Sequence, residues 1–375
     1  MKKEKNCPVS CTKKTSIGGQ ALMEGIMMRG PEKTALAVRN TKGEIVIETS
    51  PTSVANRGKF FKLPVIRGVF NYIDSMVIGT KSLMRSAEIA GLEEAEAELR
   101  REKEEKKAKK AARKNKNATS CEEVTPVSEN AESETADETA EPSEKKEKKE
   151  SSAAINAVMA LSVILGIGFS ILLFIVLPTY IYKGATHLMP FLNHENPAVQ
   201  SLIKSVFEGV LKIVILVGYM AGVSLMKDIR RTFMYHGAEH KAIFCYEAGL
   251  ELTVENVRNQ KRFHPRCGTS FLILMILVGI FVSFFIDPLF YLIFGFTPIT
   301  IVRVLIKLLL LPLIVGVGYE LIKIAGRHDN LFTRIISAPG VWLQKITTKE
   351  PDDDMIECAI AALNEVIPEN GEDNW

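Results

Sequence analysis

Residues 271–286 read FLILMILVGIFVSFFI, a run without a single charge whose apolar character returns toward Phe296. A stretch of this kind is read as a helix crossing a bilayer. Three further segments join it. Ile155–Leu177 is uncharged and about 23 residues long, enough to span. Val206–Met226 is apolar, with Lys212 near one end where its stem can snorkel. Val302–Ile324 opens with Arg303 and Lys307, which are tolerable as snorkelling residues, and closes near Glu320. The expected architecture is mainly α, a polytopic helical membrane protein with about four transmembrane helices. A small cytosolic α+β unit precedes them.

Loop charges assign the sides. The connection 227–270 carries Lys227, Arg230, Arg231, Lys241, Arg258, Lys261, Arg262 and Arg266. The connection 179–202 carries only Lys183, and 287–301 has no Lys or Arg. The positive-inside rule then places both termini and the 227–270 loop in the cytoplasm.

The rest of the chain divides by composition. Residues 1–15 read as a disordered tail, 16–90 as the small folded unit, 91–152 as a charged helix and disordered linker, 153–326 as the membrane domain and 327–375 as a cytosolic tail. In the small unit, Thr34–Arg39 and Glu44–Thr49 are β-rich around Asn40-Thr41-Lys42-Gly43, which predicts a β-hairpin. Apolar positions from Leu63 to Ile89 recur at helical spacing, so a helix there packs on the hairpin or lies on the membrane interface. The linker is too polar to offset its ordering entropy. No apolar stretch follows Met1-Lys2-Lys3-Glu4-Lys5, so no secretory signal is expected. Six cysteines in 375 residues show no disulfide framework and read as reduced. A net charge of +3 is too small to call for a nucleic-acid partner. The lipid bilayer is the expected partner.

The chemistry concentrates at His236-Gly237-Ala238-Glu239-His240, followed by His264-Pro265-Arg266-Cys267. Histidines four apart share one face of a helix. Two imidazoles so placed can chelate one divalent cation, zinc first among the candidates, and the string H-x-x-E-H matches inverted zinc-protease motifs. His264, Cys267 and Glu320 are candidates to complete the ligand set. All of these segments reach the same cytoplasmic depth, and a carboxylate such as Glu320 near hydrocarbon is costly without a partner. Glu239 is the candidate general base that activates water. Lys241 and Arg266 are placed to meet lipid phosphates. A second string runs from Ser16 to Pro31. Gln20, Glu24 and Met28 recur every four residues there, so a short helix would show them on one face as substrate or secondary contacts. A glycine-bounded packing segment is the other reading.

The runs GGQALMEGIMMRG and YHGAEHKAIFCYEAG, with LTVEN and RFHPRCGTSFL, resemble the YqhQ-like family of bacterial membrane proteins. That is a family of unknown function described as predicted metal-dependent enzymes. The resemblance covers residues 16–90 and 153–345. Its positions here are Gln20, Glu24, Arg29, His236, Glu239, His240, His264 and Cys267. It implies a bacterial cell-membrane protein and no particular substrate. Two functions are expected. One is a metal-dependent hydrolase at the cytosolic membrane face, acting on a peptide or lipid-linked substrate. The other is a non-enzymatic scaffold in which His236, His240, His264 and Cys267 close a structural site that pins two spans and recruits a partner. Transport is the weaker expectation, because the charged groups read in the spans, Glu320, Lys212 and Lys307, lie toward their ends.

Overall fold

The computed structural model of the chain describes residues 14–52, 58–91, 161–162, 164–328, 330–368 and 373. The linker and most of the amino-terminal tail therefore lie outside the described residues. Two compact units emerge, Met1–Leu92 with Val176–Trp375, and Glu93–Ile175. The described residues of the second are helical, and the account below concerns the first.

The amino-terminal sheet is a four-stranded antiparallel meander in the order β1 (Gly18–Leu22), β2 (Gly25–Arg29), β3 (Lys33–Arg39) and β4 (Ile45–Pro51). The predicted hairpin is its second half, with Ala37 opposite Ile47. Ser16–Pro31 is not a helix. It forms β1, a tight turn and β2, with Gln20 opposite Met27. The four-residue spacing of Gln20, Glu24 and Met28 therefore has no shared face. Met28 is fully buried, and Glu24 sits in the turn at φ 53°.

Both faces of the sheet are covered, which explains why β2 and β3 read as nearly continuous apolar runs instead of alternating. Ile26, Met28, Ala35 and Ala37 point to one face. Leu22, Met27, Leu36 and Val38 point to the other. This is the period of two expected of strands. The second face meets α1 (Ile66–Ile89) through Ile78, Leu83 and Ile89.

Three helices are long and apolar enough to cross a membrane: α2 (Ile164–Leu188), α3 (Pro197–Val223) and α6 (Gly268–Phe294). Between the last two run α4 (Lys227–Glu247) and the short α5 (Val254–Arg258). Beyond α6 come α7 (Thr300–Leu309) and α8 (Leu311–Arg327), bent by 46° against each other and a fourth span if the pair counts as one. Pro312 causes the bend, since its ring cannot follow the preceding helical turn. The 227–270 connection is thus largely helical. The carboxyl-terminal stretch is not a loose tail. It folds as α9 (Leu331–Thr347), capped by Asn330 and Thr333, and α10 (Asp353–Val366). The first face of the sheet closes on α4 and α10, where Tyr235, Ala238, Met355, Ile356 and Ala359 are all buried.

The spans are less apolar inside than their sequence implied. Glu208, on α3, is 2% exposed and lies about 17 Å from the start of a 27-residue helix. It accepts a hydrogen bond from Thr179 Oγ1 at 3.0 Å and an ion pair from Lys307 Nζ at 2.6 Å. Asp287 binds Arg303 through Nε–Oδ1 at 2.8 Å. Arg303 and Lys307 therefore do not snorkel. They are the buried partners of Glu208 and Asp287, two carboxylates that hydropathy alone passed over. Removing one member of a buried pair leaves the other uncompensated, at a cost of about 3–5 kcal/mol. We expect Glu208→Ala to lower the thermal unfolding temperature of the detergent-solubilised chain sharply, and the double change Glu208→Leu/Lys307→Leu to recover most of that loss.

Candidate metal centre

The candidate centre is built on α4. One face of it carries His236 and His240, whose rings lie 4.4 Å apart between centroids. Cys267 arrives from the start of α6, where it is the N-cap residue and its sulfur accepts from the Thr269 amide. The ligand atoms of His236, His240 and Cys267 all lie within 4.8 Å of one another, so the group could hold a metal ion.

The local supports are specific. His236 Nδ1 is held by the Thr347 carbonyl at 2.8 Å. The last carbonyls of a helix have no partner within it, which leaves this one at the end of α9 free to accept. His240 Nδ1 is held by the Arg262 carbonyl. A carbonyl at Nδ1 keeps the proton there and turns Nε2 inward as the coordinating atom. His236 Nε2 lies 3.1 Å from Cys267 Sγ. His240 Nε2 is buried with no hydrogen-bond partner among the described residues. An orphaned imidazole nitrogen beside a thiol and a second Nε2 is the pattern a divalent ion satisfies.

Without an ion the electrostatics favour a His236 imidazolium paired with the Cys267 thiolate, a proton that a bound metal would displace. Burial raises the Cys267 thiol, but the His236 and His240 imidazoles outweigh it and hold the pKa well below the ordinary thiol value. The N-terminus of α6 favours the thiolate as well. Burial alone would lower His236, yet the Cys267 charge and hydrogen bond bring it up to about 9. Glu239 is 5% exposed and accepts from the Gly19 backbone N–H of β1 at 3.0 Å. Burial raises its pKa, partly offset by His240 and His236. Glu239 therefore stands beside the triad as a buried carboxyl outside its donor set.

The other expected residues lie elsewhere. His264 is buried next to His240, with ring centroids 5.5 Å apart, but its Nδ1 accepts from the Arg266 amide at 3.3 Å and its Nε2 faces Glu247 at 3.8 Å. Glu320 is taken by Arg67 of α1, whose Nε donates at 2.7 Å. Glu24 anchors the β1–β2 turn on α4 by pairing with Arg231 and accepting from the Tyr235 hydroxyl at 3.3 Å. Lys241 points to the Arg258 carbonyl at 2.8 Å and to Glu350. Gln20 and Arg29 line a cavity of about 700 Å³ between the sheet and α1, on the far side of the β1 backbone from Glu239.

Sequence reading missed the residues that position the triad. Gly237 is one: a Cβ there would lie 2.0 Å from the Lys349 carbonyl oxygen, so only glycine lets the 347–351 segment cross α4. Gln344 is another. It accepts from the His264 amide at 2.8 Å and donates to the His264 carbonyl at 2.7 Å, fixing the loop before Cys267. A glycine inside the HxxEH string was the one visible signal.

Residues 63–369 match the family described as "Protein of unknown function (DUF1385)". The chain belongs to the DUF1385 family. It is 32% identical over 358 residues to "Uncharacterized protein YqhQ" of Bacillus subtilis (strain 168), covering 94% of this chain and 92% of that one. No solved structure matches. The family therefore carries the resemblance noted in the motifs and brings no activity with it.

Two outcomes follow from this geometry. Gly237→Ala should force the crossing segment off α4, costing about 1–3 kcal/mol and loosening the Thr347 hold on His236; chemical denaturation of the purified chain measures the loss. His264 is pushed down to about 4 by burial, above all. Its folded value lies below its unfolded one, so the unfolded chain binds more protons between the two values. Stability should fall as pH drops from about 6.5 toward 4, and His264→Gln should flatten that part of the stability profile.

Proposed function

We propose that this chain is a metal-dependent hydrolase of the membrane surface, with zinc as its ion. In this reading four spans cross the bilayer, and the sheet, the 227–270 segment and both termini lie in the cytoplasm, as the loop charges require. The observation that carries the proposal is the buried His240 Nε2, without a hydrogen-bond partner among the described residues, grouped with His236 and the Cys267 sulfur while both Nδ1 atoms are tied to backbone carbonyls. Two imidazoles and a low-pKa thiol favour zinc over harder cations. Three protein donors with the fourth position open is the pattern of catalytic sites. A closed structural site would need His264, whose two ring nitrogens are engaged by Arg266 and Glu247. That favours the enzyme over the scaffold.

The roles divide as follows. His236, His240 and Cys267 hold the ion, which supplies Lewis-acid polarisation of water and of a substrate carbonyl or phosphoryl oxygen. Glu239 carries the proton. Burial raises its pKa, which suits a group that accepts and returns a proton, and the Gly19 N–H keeps its carboxyl oriented. The substrate class in keeping with the site's depth is a peptide or a lipid-linked molecule.

Metal analysis of the purified full chain tests this. About one zinc per chain is expected. His236→Ala/His240→Ala should abolish it and Cys267→Ala should weaken it. Glu239→Gln should keep the ion yet fail to restore any phenotype of a deletion strain. Metal-free wild type after reconstitution with zinc would overturn the proposal.

A further inference from the structure

A cavity lies between the sheet and α1, with Gln20 of β1 turned to it while the neighbouring Gly19 faces Glu239. Its walls are mixed, with Met27, Phe61 and Ile78 beside the polar groups. Gly18 and Gln20 come from β1, Arg29 from β2, Asn71 and Ser75 from α1, and Tyr319 from α8. Asn71 donates to the Tyr319 hydroxyl at 2.8 Å, which fixes the wall where α1 meets α8. Four charged groups line it: Arg29, Lys62, Arg67 and Asp74. Arg67 is neutralised by Glu320, and Asp74 is itself engaged. Arg29 and Lys62 make no hydrogen bond or ion pair among the described residues. Two cations without a partner among the described residues, in one lining with hydroxyl and amide groups, are a donor set that suits a phosphate.

The surroundings say what carries the phosphate. α1 turns Asn71, Ser75 and Ile78 to the cavity and leaves Ile73, Met76, Val77 and Met84 exposed on its other side. Phe60 and Leu63, just before it, are exposed as well. A continuous apolar strip of this kind on a helix calls for a covering surface. The strip is continuous with the bundle, because α1 packs on α8 where Gly68 meets Tyr319. The edge of the bilayer is the surface in reach.

We propose that this cavity binds the phosphate headgroup of an anionic membrane lipid, with Arg29 and Lys62 on the phosphate and the acyl chains along the apolar side of α1. The proposal shares with the hydrolase reading only the placement of the bundle in a membrane. It is independent of the triad.

Native mass spectrometry of the full chain, titrated with phosphatidylglycerol or phosphatidylcholine, tests it. We expect one phosphatidylglycerol to be retained, with about tenfold preference over phosphatidylcholine. Arg29→Gln/Lys62→Gln should remove the preference. Gly18→Leu, whose Cβ enters open space, should block retention by filling the cavity without changing charge. Zinc content should be unchanged in both variants, so failure here and failure of the hydrolase proposal are separable. Inorganic phosphate and glycerol phosphate should compete only weakly. Equal retention of both lipids, or a preference that survives in both variants, would overturn the assignment. Competition by the soluble phosphates as effective as that of the lipid would also overturn it, in favour of a soluble ligand.

Discussion

Gly237 allows the Lys349 carbonyl to lie against α4, and the Lys349 amide donates to the Phe233 carbonyl at 2.8 Å on the same helix. That crossing brings the end of α9 onto His236. It also commits the chain immediately afterwards to α10, which closes the sheet. α4 is therefore buried from two directions, by the sheet with α10 on one side and by the α9 crossing with the α6 entry on the other. Its histidines are held because the backbone carbonyls that grip them belong to segments that cannot move without opening the core. Removing the side chain of a ligand would alter one contact, whereas displacing the crossing would alter the whole arrangement.

The same economy links the sheet to the centre. Glu24 docks the β1–β2 turn on Arg231 and Tyr235, and Gly19 presents its N–H to Glu239. A Cβ at Gly19 would meet the Met27 carbonyl at 2.6 Å and the Glu239 carboxyl at 3.0 Å, so the strand approaches the acid as closely as a backbone can. The sheet is thus the wall of the centre. It is also the wall of the cavity lined by Arg29 and Lys62 behind it. One strand separates two chemically different sites: a soft, thiol-bearing pocket suited to a metal, and a hard, cationic one suited to an anion.

Within the spans the governing term is desolvation. Glu208 and Asp287 are tolerable in an apolar bundle only because Lys307 and Arg303 meet them with direct ion pairs. The break between α7 and α8 places Lys307 in the last turn of α7, within reach of α3. The bend and the pairing belong to one arrangement, since a straight helix would carry the charge to a different depth.

The sequence by itself determined the elements whose signal is local. Long apolar runs identified the apolar helices but not their ends: the first runs on to Leu188 where the run ended at Leu177, and the second begins at Pro197 where the run began at Val206. Helical spacing identified α1, and HxxEH with HPRC identified three donors that the fold unites. It did not determine who meets whom. The string from Ser16 to Pro31 has a four-residue spacing and β-strand conformation, because strand pairing and burial on both faces outweighed the weak helical pattern. His264 and Glu320 looked equivalent to Cys267 in depth, yet each is held by a nearer charge, Glu247 with Arg266 and Arg67, that no spacing reveals. The carboxyl-terminal stretch reads as a tail until the sheet offers it a face of small residues, Ala35 and Ala37, on which Ala359 and Ala362 can bury. Local patterns fix local conformation. The selection among partners depends on desolvation and close packing, and these exist only once segments hundreds of residues apart have been brought together.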